Sequence, residues 1–229
     1  VLQHLIDIQS VLKAASIETP EQLKRAIDRA ALMLRFYLHA DGGLALFNGS
    51  NEGAPQLIDA VLTKAKADGK PLNSATHTGF ERVATNGILL IADTGAPSLV
   101  GRGAHAGPLS FEMSFGKQRV IVNCGAYAGE DPNWRQAQRA TAAHSTLVLE
   151  DRNSCGVRKD GSISAQGLTV TAERHTDDGS ILIDMSHNGY VASHGVVHRR
   201  RIYVNASGAD IRGEDTLTGN GDHKFTIRF

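Results

Sequence analysis

The sequence is poor in the features that announce several classes of protein. Cysteine occurs only as Cys124 and Cys155 in 229 residues, too few for a disulfide framework or a four-thiolate zinc site. Cys124 lies in the apolar run RVIVNCG and reads as a small buried hydrophobe. Charge of one sign is not in excess, with 24 basic and 24 acidic residues, so no broad field for nucleic acid is advertised. No apolar run approaches the length of a membrane span. There is no G-x-S-x-G elbow, and Ser110 sits inside an alternating strand pattern, which leaves a serine hydrolase without support. GRG at 101–103 is not followed by a helix at the spacing of a dinucleotide loop. An initiator Met and a signal-type leader are also missing, and the final HKFTIRF alternates like the inside of a strand. The expectation is a piece of a longer protein, whose compartment its first residues do not reveal.

What is present divides into two regimes of periodicity. Leu2, Leu5, Ile6 and Leu12 are spaced for one face of a helix. In TPEQLKRAIDRAALMLRFYLHADGG, Thr19 is placed as an N-cap, Pro20 as the first helical residue and Gln22 as the partner in a capping box. Leu23, Ile27, Ala30, Leu34 and Leu38 form the stripe to be buried, and Asp41-Gly42-Gly43 ends it. A third helix is predicted from Pro55 to Lys66 with Ile58, Val61, Leu62 and Ala65 inward, stopped by DGKP.

From residue 76 the period falls to two. Asn86-Gly87 between two apolar runs is a strong hairpin signal. In LSFEMSF, Phe111, Met113 and Phe115 are expected to face a sandwich interior, with Ser110, Glu112 and Ser114 on the other face. The short turn after Phe115 pairs this strand directly with VIVNCG. TLVLED, LTVTAERHTDDGSILIDMSHNGY, VVHRRRIYV and KFTIRF continue the pattern, which argues for an antiparallel sandwich rather than βαβ units. The fold class is α+β, a helical segment over 1–72 followed by a β-sandwich over 73–229.

Few residues stand out for chemistry. His105 precedes a strand, His144 opens another, and Asn123 lies between them in sequence. Three such residues from separate strand ends could converge on a divalent metal, with Asn as a weak neutral ligand; hydrogen-bonded structural histidines are the alternative. His187, His194 and His198 with Arg199 to Arg201 form either a polar edge or a groove wall facing an anionic ligand, and at most two of the three arginines share a face. Tyr127 and Trp134 lie in GAYAGEDPNW, as rings that stack on sugars or as packing anchors of the loop.

Taken together, GFERVATNGILLIADTGAP, HAGPLSFEMSFGKQRVIVNCG, RATAAHSTLVLEDRNS, SHNGY, VVHRRRIYV and IRGEDTLTG resemble the heparinase II/III family of polysaccharide lyases. HAGPLSFE is similar to that family's H-A-D-x-LSFE strand, VIVNCG to its V-D-x-G strand, and RATAAHST to its R-x-T-x-A-H-N-T segment. FYLHADGGLALFNGSNEG resembles the end of the family's helical toroid. The resemblance implies the C-terminal helices of an (α/α) toroid joined to an antiparallel β-sandwich, incomplete at both ends. It implies β-elimination on a uronic-acid-containing polysaccharide and a periplasmic or cell-envelope location. Such chemistry neutralises a sugar carboxylate, removes the C5 proton with a Tyr or His, and protonates the leaving O4.

By the same resemblance, zinc would be held at His105, Asn123 and His144. Trp134, Arg139, His187 and Arg199 are the candidates to contact substrate. The chain departs from the family pattern at chosen places. The family's H-x-H-x-D strand puts its catalytic first His on Gly103 and its Asp on Gly107, and the zinc Asp falls on Asn123. Tyr127 is the phenol left near the matched strands, and it is the candidate for a replacement base. Lyase action on an acidic polysaccharide is the leading expectation. A non-catalytic carbohydrate-binding or envelope-associated relative is the second, and a purely structural sandwich the third.

Overall fold

The computed structural model describes residues 1–67, 69–99 and 103–229. Asp68 of DGKP, and Gly101 and Arg102 of GRG, lie outside the described residues. The elements in order are α1 Leu2–Ala14, α2 Glu21–Phe36, α3 Pro55–Ala65, β1 Ser74–Ala75, β2 Phe80–Thr85, β3 Ile88–Asp93, β4 Phe111–Phe115 and β5 Gln118–Ile121. They continue with α4 Pro132–Gln138, β6 Leu147–Leu149, β7 Gly156–Val157, β8 Ile163–Ser164, β9 Val170–Asp177, β10 Ser180–Tyr190, α5 Val191–His194, β11 Val196–Val204, β12 Ile211–Thr218 and β13 Phe225–Ile227.

The three long helices pack on one another through Leu2, Ile6, Ile27, Ala31 and Leu62, with Leu23, Ala30, Leu34 and Leu38 at the margin. The stripe expected on α2 is therefore the one buried. Its start is different. Pro20 stays extended at φ −57°, ψ 142° and itself occupies the N-cap, so the helix begins at Glu21. Thr19 is buried and makes no capping bond, and the expected capping box does not form.

Two antiparallel sheets make the sandwich. One runs β1-β2-β3-β4-β5 and the other β12-β11-β10-β9. Val83, Leu90, Ala92, Leu109 and Phe111 meet Ile183, Met185, Ile202 and Val204 between them. Asn86 and Gly87 both take positive φ, 41° and 87°, in the two-residue turn between β2 and β3, the backbone that this dipeptide favours. Strands β4 and β5 pair directly, as expected, with Phe115 opposite Gln118.

Three expectations need correction. Phe115 is 60% exposed, because it is the last residue of β4 and its ring lies over the Gly87 turn, beyond the reach of the second sheet. Cys124 is exposed, because β5 ends at Ile121 and the chain has already left the sheet. The second region is also not purely strands, since α4, α5 and a 3-10 turn at Thr141–Ala143 interrupt it.

The outer face of the five-stranded sheet is not open to solvent. Phe36, Ala45 and Phe47 cover it, packing on Ala75, Phe80, Leu89 and Ile91. Strand β3 is buried along its whole length as a result. This cover, the stretch from the end of α2 to α3, also positions the polar site.

Candidate functional site

Glu112 faces away from the sandwich interior, as the register of β4 demands, yet it is 0% exposed. A buried carboxylate is tolerable only when its oxygens are satisfied, and here the covering segment satisfies them. Leu46 N donates to its Oε1 at 2.9 Å and Asn123 N at 3.0 Å. His39 Nε2 lies 3.1 Å from its Oε2, and His39 Nδ1 lies 2.9 Å from Ser114 Oγ. Asn123 Nδ2 reaches Oε1 at 3.4 Å, while Asn123 Oδ1 accepts from Ser145 N at 3.0 Å. One carboxylate on β4 thus ties the segment that follows α2 to Asn123 beyond β5, and Asn123 in turn holds Ser145.

His105 and His144 lie beside this network. His105 Nδ1 is 3.2 Å from His144 Nε2, and His144 Nδ1 is 2.8 Å from Ala140 O. The carbonyl can only accept, so His144 carries its proton on Nδ1 and accepts from His105 on Nε2. Both rings are neutral. Burial, then the neighbouring His144 and Arg139, pushes His105 down to about 3. Burial pushes His144 down to about 4 despite the Ala140 carbonyl and Glu112. Asn48 Oδ1 holds the His105 backbone N–H at 3.0 Å.

The other residues singled out from sequence separate into different surroundings. Arg139 is buried, and its guanidinium donates to Ala104 O at 2.7 and 3.1 Å and to Gly161 O. It clamps the backbone that carries His105 and has no open face toward a ligand. His187 is buried and accepts from Gly189 N at 3.0 Å while donating to His198, which in turn meets Asp215 at 2.7 Å. Arg200 pairs with the same Asp215 and reaches the Leu109 and Ser145 carbonyls from the opposite sheet.

Arg199 points to the outer face and pairs with Asp184. A groove wall made jointly by His187, His198 and Arg199 is therefore excluded by the pleat. Trp134, on α4, is 60% exposed. Tyr127 is half-buried with its phenol folded over Gly129, where an added Cβ would lie 2.4 Å from the hydroxyl.

Gly103 lies against the turn at Asn48–Ser50. A Cβ on Gly49 would come within 3.1 Å of the Gly103 backbone, whereas among the described residues a Cβ on Gly103 would meet nothing nearer than 3.8 Å. The Tyr127 loop touches the other side of the same turn through Ala126 N, which donates to Ser50 O at 2.9 Å. An open pocket of about 470 Å³ lies there, lined by Leu46, Asn51, Glu52, Gly53, Cys124 and Gly125 among others. A larger groove, about 710 Å³, is elsewhere, between residues 151–156, 164–168 and 188–193. Its size does not make it the site, because the candidate histidines and Gly103 do not line it.

The heparinase II/III-like, C-terminal family matches residues 67–229. The chain belongs to that family. FtsZ-localized protein C of Caulobacter vibrioides is 33% identical over 227 residues, covering 95% of this chain and 39% of that protein. Among solved structures, a heparinase III gene product superposes with a TM-score of 0.73 at 14% identity, over 98% of this chain and 37% of its own. The heparan sulfate lyase HepC from Pedobacter heparinus gives 0.70 at 16% identity, over 96% of this chain and 37% of its own. At those identities the likeness to the lyases is one of fold. The chain spans less than two-fifths of the length of each of these relatives.

With the family in hand, the zinc expectation can be tested on the donors. Two imidazole nitrogens on one tetrahedral zinc stand about 3.3 Å apart, given bonds of about 2.0–2.1 Å, so the histidine pair has a suitable span. The third donor does not fit. Asn123 Oδ1 is committed to Ser145 N and its Nδ2 to Glu112. Among the described residues no group of three His, Cys, Asp or Glu is placed to hold a metal. Gly107 closes the other route, because a Cβ there would lie 2.6 Å from the His144 ring.

His39 is the member of this polar network that the sequence did not disclose. Its signal was FYLHADGG meeting the S-E-S face of β4, two polar patches that each lacked a partner.

Proposed function

We propose that this chain is the sandwich-bearing part of a heparinase-like protein that binds an acidic, uronate-containing polysaccharide without cleaving it through a sandwich histidine. Gly103 carries the reading. It occupies the position at which the family resemblance places the catalytic His, and among the described residues a Cβ there meets only Gly49 of the Asn48–Ser50 turn, at 3.8 Å. The two histidines nearest in the matched strands do not fill that position: His105 and His144 are buried against each other. General acid–base assistance is worth about 10²–10⁴-fold, so its loss separates binding from turnover. A binding role at a place shared with FtsZ is in keeping with the name of the Caulobacter relative, FtsZ-localized protein C. Trp134 is the exposed ring on which a sugar would stack.

A second reading, β-elimination on the same polysaccharide, is favoured by one observation. The loop that carries Tyr127 and Gly103 abut the same turn, which supports Tyr127 as the candidate replacement base. The elimination creates a C4–C5 double bond conjugated to the carboxylate, so turnover is read as ultraviolet absorbance. The full-length protein is to be tested on heparin, heparan sulfate and alginate for both binding and absorbance. The first reading predicts binding without absorbance and a gain of absorbance in Gly103→His. Absorbance from the parent that disappears in Tyr127→Phe overturns it in favour of the second.

A further inference from the structure

We propose that the convergence of strand ends around His105 and His144 is held in this chain by the Glu112–Asn123 pair in place of a metal ion, and that Asn123 is the residue that keeps it metal-free. The argument rests on the two ends of the carboxamide being used in opposite senses. Its nitrogen points at Glu112 Oε1, 3.4 Å away, and its oxygen takes the Ser145 backbone N–H at 3.0 Å. The amide donates to one and accepts from the other, whereas an ionised carboxylate only accepts. A carboxylate at 123 could still accept from Ser145, but it would set a second negative charge against the buried Glu112 carboxylate. Like charges in such a setting disfavour each other unless a cation lies between them.

The surroundings fit that division of labour. Glu112 already collects donors from Leu46, His39 and the Asn123 backbone, so the segments a cation would gather are gathered without one. The lone pair of His144 Nε2 that would face a metal instead receives the His105 proton. Arg139 holds the chain on either side of His105, through Ala104 O and through its own carbonyl, which accepts from Ala106 N at 2.9 Å. The site is closed by hydrogen bonds on each side.

The test compares the full-length parent with Asn123→Asp and with Glu112→Gln/Asn123→Asp, each melted in chelator and in one equivalent of zinc, with metal content measured after purification. The parent is expected to carry no zinc and to melt at the same temperature in both buffers. Asn123→Asp should lose about 5 °C or more in chelator, regain it on adding zinc, and bind about one equivalent. The double variant removes the second negative charge, so it should recover part of the loss in chelator without zinc. Should Asn123→Asp fail to fold in chelator, the double variant and the parent's metal content still decide the matter. A parent that holds stoichiometric zinc or melts lower in chelator overturns the proposal. So does an Asn123→Asp protein as stable as the parent without metal, or a double variant that recovers nothing.

Discussion

Lowering the pH from 7 to 5 should cost the folded protein about 2 kcal/mol through His187 alone. Burial, followed by the neighbouring His198 and Arg200, pushes this imidazole down to about 3, against about 6.5 in an unfolded chain. The folded value lies below the unfolded one, so the unfolded chain takes up the proton first. Stability is whole above about pH 6.5 and is lost progressively as the pH falls toward 3. At pH 5 the gap amounts to about 1.5 pH units, or about 2 kcal/mol at 1.36 kcal/mol each. His198 is lowered by burial as well and acts in the same direction.

Gln at position 187 can still accept from Gly189 N and donate toward His198, but it cannot titrate. Urea unfolding of the parent and His187→Gln at pH 7 and pH 5 isolates the residue. The parent should lose about 2 kcal/mol more than the variant between the two. Equal losses would refute the assignment of His187 as a neutral buried ring.

Arg200→Met should destabilise by about 3–5 kcal/mol, since it strands Asp215 and frees the Leu109 and Ser145 carbonyls, as read by denaturant midpoint. Asp215 is held down to about 2, its hydrogen bonds and charges from His198 and Arg200 outweighing the opposing effect of burial. Its share of stability, present above about pH 4, is thus lost as pH falls toward 2; an acid melt of Asp215→Asn should lack that step. Gly87→Ala puts a Cβ on a φ of 87° and 3.3 Å from the Phe115 ring, and should cost about 1–2 kcal/mol by thermal melt. Trp134→Ala should leave the melting temperature in place and weaken polysaccharide binding by about fivefold, worth about 1 kcal/mol of stacking.

The elements were legible wherever a local period or a turn dipeptide dictated them. The stripe of α2, the Asn86-Gly87 hairpin and the β4–β5 pairing follow from spacing and turn chemistry alone. Thr-Pro-Glu-Gln matches a capping box anchored on Thr19, but the extended ψ of Pro20 starts the helix one residue later, at Glu21, where no capping box is possible. Phe115 and Cys124 show a second limit. Alternation assigns a face, but whether anything covers that face depends on the width of the opposing sheet and on where the strand stops.

The site was legible as residue types more than as contacts. The nearness of His105 and His144 follows the family register, whereas the burial of Glu112 depends on His39 and Leu46, 73 and 66 residues away in sequence. Arg139 and Arg199 looked alike as cations. The first is consumed by carbonyls and the second lies on the outward side of the pleat, and both outcomes are tertiary.

Strand β3 is buried on every residue because the second sheet lies over one of its faces and the stretch after α2 over the other. In solvent-exchange experiments this makes β3 the natural slow core. Lifting the helical cover would bare Leu89 and Ile91 but leave Leu90 and Ala92 sealed, and parting the sheets would do the reverse. Each partial opening spares the hydrogen bonds that β3 shares with β2 and β4. Deuterium should therefore enter its amides at the rate of global unfolding, well after it has entered the residues of either cover.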